Sequence, residues 1–141
     1  MTDDNRRVHV AAEVALGDGS LQAAALLLDA GLLPDAASRA YYAAHHYARA
    51  ALLTLGLEAR SHQGLRSLFG QHLVKAGHVP AALSRALAHL QRDREDADYD
   101  RSFALDRSDA EALVASAREF VATVRGYLDR GGWLAPPAGS Q

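Results

Sequence analysis

Ser38-Arg39-Ala40-Tyr41-Tyr42-Ala43-Ala44-His45-His46 is the stretch on which the reading of this chain turns. It lies inside a helical run that Pro34 opens, as suits a first helical turn, and that Gly56 stops after Leu55. At about 100° per residue, Ala40, Ala44, Ala48, Ala51, Leu52 and Leu55 share one side, the evident core face. On the opposite side Arg39, Ala43, His46, Ala50 and Leu53 fall within about 40° of Arg39. Tyr42 and Arg49 flank that stripe, and His45 lies further round, nearer Arg49 and Ser38. A helix with an apolar side and a second side of small residues, rings and cations has two faces to satisfy. Burial of the second face by a partner subunit is the expectation.

Working outward, alanine and leucine dominate and no segment alternates with a period of two, so the expectation is all-α, an antiparallel bundle of four to five main helices. Residues 6–16 form a first helical stretch, and Ser20 to Ala30 resumes it with Leu21, Ala24, Ala25 and Leu28 on one face. Gly17-Asp18-Gly19 between them is either a true break or a kink tolerated in one long helix. Beyond Gly56, residues 56–60 read as a loop and Ser61 as a cap. The helix it caps carries Leu65, Leu68, Phe69, Leu73 and Ala76 to a stop at Gly77. Pro80 opens another, ending near Ala97, and residues 99–107 read as a polar loop. Ser108-Asp109-Ala110-Glu111 reads as a capping box before a last helix with Leu113, Ala117, Phe120, Val121, Val124 and Leu128 at bundle spacing. Residues 1–130 are expected to be one domain and 131–141, with Pro136-Pro137, a disordered tail.

The chain has 141 residues, enough for a core without staples, and no cysteine, which excludes disulfides, thiolate metal sites and cysteine nucleophiles. The net charge of −2 excludes a chain that is globally attractive to nucleic acid. A local basic cleft stays open, because 14 of the 15 basic residues are arginine. No apolar run approaches the ~20 residues of a membrane span, and Met1-Thr2-Asp3-Asp4-Asn5-Arg6-Arg7 lacks the order of a signal peptide. A cytoplasmic protein without membrane contact is expected.

Two features bear on chemistry. Leu83, Leu87, Leu90, Arg94 and Ala97 share one helical stripe, so Arg94 follows three core leucines at the same angle. Such a cation is either paired, with Asp96, Asp98 or a carboxylate on another helix, or lines a cleft where its planar guanidinium suits phosphate. His45 and His46 are adjacent, point about 100° apart and cannot chelate one metal from a regular helix. The other histidines show no ligand spacing, so no metal site and no cofactor is expected.

Ser-Arg-Ala-Tyr-Tyr-Ala-Ala-x-His from Ser38, Ser61-His62-Gln63-Gly64, Leu68-Phe69-Gly70 and Arg94-Glu95-Asp96-Ala97-Asp98-Tyr99, in that order, resemble the HEPN domain. The resemblance is strongest to its small bacterial and archaeal branch and runs from about Leu16 to Leu128. It implies a helical bundle that dimerises. In many members it also implies a metal-independent ribonuclease whose arginine and histidine, four to six residues apart, meet at the dimer interface. Small members are often encoded beside a minimal nucleotidyltransferase that modifies a tyrosine near this motif, the two forming a toxin–antitoxin module. This chain departs from the nuclease signature, because Tyr99 stands where the ribonucleases carry histidine. Tyrosine, with an ordinary pKa near ~10, is a poor general base at neutral pH. Arg39 with His46, which share a face, or with His45, also fits the spacing, but on the earlier helix.

The resemblance thus implies Arg94, Tyr99 and His46 as candidate catalytic residues, and Arg39, Tyr42, His45 and Arg49 as candidate phosphate or nucleotide contacts. The expected function is a non-catalytic or regulatory dimer that binds a nucleotide or RNA phosphate within a toxin–antitoxin or nucleotidyltransferase-associated module. The alternatives are a metal-independent ribonuclease toxin and a purely structural dimeric bundle.

Overall fold

The computed structural model describes residues 2–99 and 104–134, and among them the chain is helical with no strand. Five helices follow in order: α1 (Asp3–Asp29), α2 (Leu33–Leu53), α3 (His62–Phe69), α4 (Ala82–Tyr99) and α5 (Arg107–Arg130). A π-helical turn, Gly70–Val74, prolongs α3.

The glycines at 17 and 19 neither break nor end α1, which is one helix of 27 residues. Gly17 is there for packing. A Cβ on it would lie 2.6 Å from Cδ2 of the Tyr47 ring and 3.3 Å from the Ala43 carbonyl oxygen. The short Ala30–Leu32 connection turns α2 back antiparallel to α1, with Gly31 in the left-handed region at φ 78°. The register can be read from Gly17 against Ala43 and Tyr47, Glu13 against His46 and Arg49, and Arg6 against the Thr54 carbonyl.

α2 is the central helix. Twelve of its 21 residues are buried, eight of them alanines, so neighbours can approach it from more than one side. α1, α4 and α5 all pack on it. This corrects the expectation of a partner-facing stripe: Ala43, Ala50 and Leu53 are buried within the monomer, and α1 of the same chain supplies the cover. The core continues through Leu65, Phe69 and Leu73, then Leu83, Leu87 and Leu90, then the predicted stripe of α5. Phe69 and Phe120 stack at 5.4 Å between ring centres.

Three further differences from the sequence reading have physical reasons. The cap of α5 is Asp106 rather than Ser108: its carboxylate accepts from the Asp109 N–H at 2.7 Å, and Asp109 returns the bond to the Asp106 N–H. The first residues of the expected tail are ordered, because Trp133 and Leu134 pack on the core and the Arg7 guanidinium lies 5.2 Å over the indole. Residues 135–141 lie outside the described residues, as do 100–103 of the expected polar loop. Finally, α1 reaches membrane-spanning length and apolarity as a whole, glycines included. It nevertheless buries Val10, Val14, Gly17, Ser20 and Ala24, and it carries the ion-paired Glu13, as a bundle helix does.

Candidate functional site

The site is built around the ring of Tyr42. The Arg39 and Arg94 guanidinium carbons each lie 5.2 Å from its centre. The rings of Tyr41, His45, His46 and His62 lie at 5.2, 5.6, 6.2 and 6.4 Å. Arg39, Tyr41, Tyr42, His45 and His46 come from just over two turns of α2. Arg94 comes from α4 and His62 from the start of α3, where the Ser61 hydroxyl accepts from the Gly64 N–H at 2.9 Å. That cap fixes where α3 begins and so brings His62, its first residue, against α2.

Arg94 is both paired and at the edge of a groove. Its Nε lies 3.3 Å from Asp98 Oδ2, an ion pair along α4, while the guanidinium also stands 5.7 Å over the Tyr41 ring. The Asp98 contact lacks hydrogen-bond geometry and leaves Nε, which is buried, without a hydrogen bond. Arg94 and His62 line an open groove of about 550 Å³ with Glu95, Asp96 and Tyr99. Tyr99 is 75% exposed there, on the rim rather than in the packed cluster.

Two polar networks organise the histidines. The Tyr41 hydroxyl lies 2.5 Å from His62 Nδ1 and 3.3 Å from His45 Nδ1. On the other flank Glu13 of α1 bridges His46 Nδ1 at 2.7 Å and Arg49 Nε at 3.0 Å. His46 and Arg49 are thereby held by a carboxylate, and Arg49 has a partner before any ligand arrives. Burial, together with the neighbouring His46 and His62, pushes the His45 imidazole down to about 4. Burial and the Arg94 charge lower His62 as well. Burial and the adjacent Tyr42 raise the Tyr41 hydroxyl to about 12. At neutral pH the cluster therefore holds two uncharged imidazoles joined by a protonated phenol, beside fixed arginine cations.

The structure brings together Arg39, Tyr42, His45, His46 and Arg94 of the predicted site residues, sets Tyr99 at the edge of the groove and engages Arg49 with α1. Sequence reasoning missed Tyr41, His62 and Glu13 as site residues. His62 had a signal, since it sits in Ser61-His62-Gln63-Gly64. Tyr41 read as a core ring, and its ring is indeed fully buried, but its hydroxyl is not idle. Glu13 had no signal, because its role depends on the register of α1 against α2. Among the described residues no three histidine, aspartate or glutamate side chains converge to hold a metal ion.

Comparison with known proteins bears on the family. The HEPN domain matches residues 17–127. A UPF0332 protein of Gloeobacter violaceus is 41% identical over 110 residues, covering 77% of this chain and 87% of the relative. A protein of Methanocaldococcus jannaschii named "Putative toxin" is 31% identical over 122 residues, covering 86% of this chain and 90% of that relative. A UPF0332 protein of Pyrococcus horikoshii is 37% identical over 81 residues, 57% of each. The motifs, the bundle and these matches agree, and the chain belongs to the HEPN domain family.

Proposed function

We propose that this protein is a toxin-like, metal-independent ribonuclease in which His62 takes the place of the histidine absent at position 99. The carrying observation is that His62 and Arg94 line one groove, with His45 5.2 Å from the His62 ring. Arginine at such a site binds the non-bridging oxygens of a phosphodiester and offsets the charge that builds in the transition state. Imidazoles move the protons of the attacking 2′-hydroxyl and the leaving oxygen. The Arg39 and Arg94 guanidinium groups beside the Tyr42 ring give a cationic, aromatic surface suited to a single strand. These side chains supply acid, base and charge themselves, so cleavage is expected in EDTA. The name carried by the Methanocaldococcus relative supports the toxin-like role.

The test is incubation of the purified protein with labelled single-stranded RNA in EDTA, beside Arg94→Ala and His62→Ala. Cleavage that both variants lose supports the reading, and intact RNA with folded wild-type protein refutes it.

One observation favours a second reading, a non-catalytic module that presents itself to a minimal nucleotidyltransferase. The Tyr99 side chain is exposed beside Arg94, open to attachment of a nucleotide. Mass spectrometry after co-expression with such a transferase decides it: an adduct on Tyr99, or on Tyr42, supports the module, and an unmodified chain counts against it. Both readings include a homodimer and a cytoplasmic setting. Val8, Leu16 and Leu26, exposed within about 80° of each other on α1, offer the dimer an apolar surface. Light scattering of wild type and Leu16→Glu tests that part.

A further inference from the structure

The Tyr41 hydroxyl has one proton and lies between two imidazole Nδ1 atoms. It can bond to both only by donating to one and accepting from the other. One imidazole therefore carries its proton on Nδ1 and the other on Nε2, so that across the pair one Nε2 is a lone pair and the other an N–H donor. We propose that Tyr41 couples His45 and His62 into a single acid–base pair, two neutral imidazoles that move protons in opposite directions while the tyrosine hydroxyl carries the balancing proton between them. The proposal rests on the ribonuclease reading above and supplies its proton chemistry.

The step balances without a charged imidazole. The 2′-oxygen attacks phosphorus, and its proton passes to the lone-pair Nε2. The bond from phosphorus to the 5′-oxygen breaks, and that oxygen takes the proton of the other Nε2–H. In the same event the first imidazole gives its Nδ1 proton to the Tyr41 oxygen as the Tyr41 hydroxyl proton passes to Nδ1 of the second, so neither an imidazolium nor an imidazolate forms. The products are a 2′,3′-cyclic phosphate and a 5′-hydroxyl. Both imidazoles end neutral with their tautomers exchanged, and reverse transfer through Tyr41 or exchange with solvent restores them.

The surroundings suit such a relay and oppose the usual one. An isolated imidazole acid must be an imidazolium before it donates. The arginines Arg49, Arg66 and Arg94 bear on this cluster, opposed by Glu13 and Glu95 and by Asp98 at Arg94, and its buried interior disfavours a further cation. Tyr41, buried and kept protonated, passes protons without becoming a phenolate. The two histidines come from different helices, α2 and α3, and the Tyr41 hydroxyl lies within hydrogen-bond distance of both.

Two measurements test this. The first needs no substrate. Nitrogen-15 NMR of the imidazoles at neutral pH should show opposite tautomers for His45 and His62 in wild type, and loss of that correlation in Tyr41→Phe. Identical tautomers in wild type overturn the coupling. The second uses labelled single-stranded RNA, with DNA of the same sequence as the control lacking the 2′-hydroxyl. Tyr41→Phe should slow RNA cleavage by about 100-fold or more with RNA affinity within about twofold, and His45→Gln with His62→Gln together should cost no more than either alone. A Tyr41→Phe protein that cleaves at the wild-type rate overturns the relay and leaves the ribonuclease reading standing. Opposite tautomers in a wild-type protein that cleaves no RNA overturn the ribonuclease reading, and the relay's catalytic use with it.

Discussion

Glu13 of α1 and His46 of α2 meet at 2.7 Å, and the second oxygen of the same carboxylate holds Arg49. One residue of an otherwise apolar stretch thus fixes the register of the α1–α2 hairpin and the orientation of a candidate site histidine. Burial raises the Glu13 carboxyl, but the His46 hydrogen bond and the Arg49 charge outweigh it and leave the group below its ordinary value. A carboxyl lowered by folding stabilises the fold above its unfolded pKa of about 4.5, and that contribution is lost as pH falls through the folded value. Glu13→Gln is expected to cost about 1 kcal/mol or more at pH 7. Urea unfolding of both proteins from pH 7 to pH 3 checks this: the gap between them should close below about pH 4.5, and a gap independent of pH would refute the assignment.

Gly17→Ala should destabilise by about 1–3 kcal/mol, a penalty for overpacking rather than a helix-propensity gain. The new methyl would sit 2.6 Å and 2.9 Å from two carbons of the Tyr47 ring. That ring cannot yield cheaply, because it is fully buried and its hydroxyl is bonded to Asp18 at 2.5 Å and to Arg125 at 2.7 Å. Gly19, two residues on, has no neighbour within 4 Å, so Gly19→Ala should be neutral or stabilising. Thermal unfolding of the two variants side by side gives the answer, and equal behaviour would mean that the helices do not approach as described.

The His45 imidazole, neutral in the fold and held at about 4 by burial and its histidine neighbours, protonates near its ordinary 6.5 once unfolded. Between those values the unfolded chain binds the extra proton, so stability falls as pH drops from about 6.5 towards 4. Replacing His45 by phenylalanine should flatten that part of the curve. Denaturant titrations at pH 7.5, 6, 5 and 4.5 read the slope directly, and a slope unchanged by the substitution would show that His45 is not the group responsible.

The bundle was legible in the sequence because four of the five helices are followed by a glycine stop. Gly31, Gly56, Gly77 and Gly132 all adopt positive φ, and Ser61 caps where expected. The Gly17–Gly19 interruption could not be resolved locally, since only the Tyr47 ring on another helix explains why residue 17 lacks a side chain. The same limit applied to α2. Its second face was recognised as needing cover, but a helical wheel cannot say whether a partner or α1 supplies it. In the site, residues on one helix were readable as a group from spacing. Glu13 and His62 join it through contacts 21 to 36 residues apart in sequence.

Arg94 carries the last prediction. Its guanidinium carbon lies over two tyrosine rings and its Nε faces Asp98, so shape matters as well as charge. Arg94→Lys keeps the charge but loses the planar fork and the stacking, and should weaken single-stranded RNA binding nearly as much as Arg94→Ala. If Arg94 contacts phosphate, removing it should also lower the slope of log affinity against log salt by about 0.7. Asp98→Asn frees the guanidinium from its carboxylate and should strengthen binding while leaving the slope close to that of wild type. Fluorescence titrations of a labelled RNA at several salt concentrations measure all three variants. An Arg94→Ala protein with the wild-type slope would make Arg94 a structural cation stacked on Tyr41 and Tyr42, and the phosphate contact would have to be sought at Arg39.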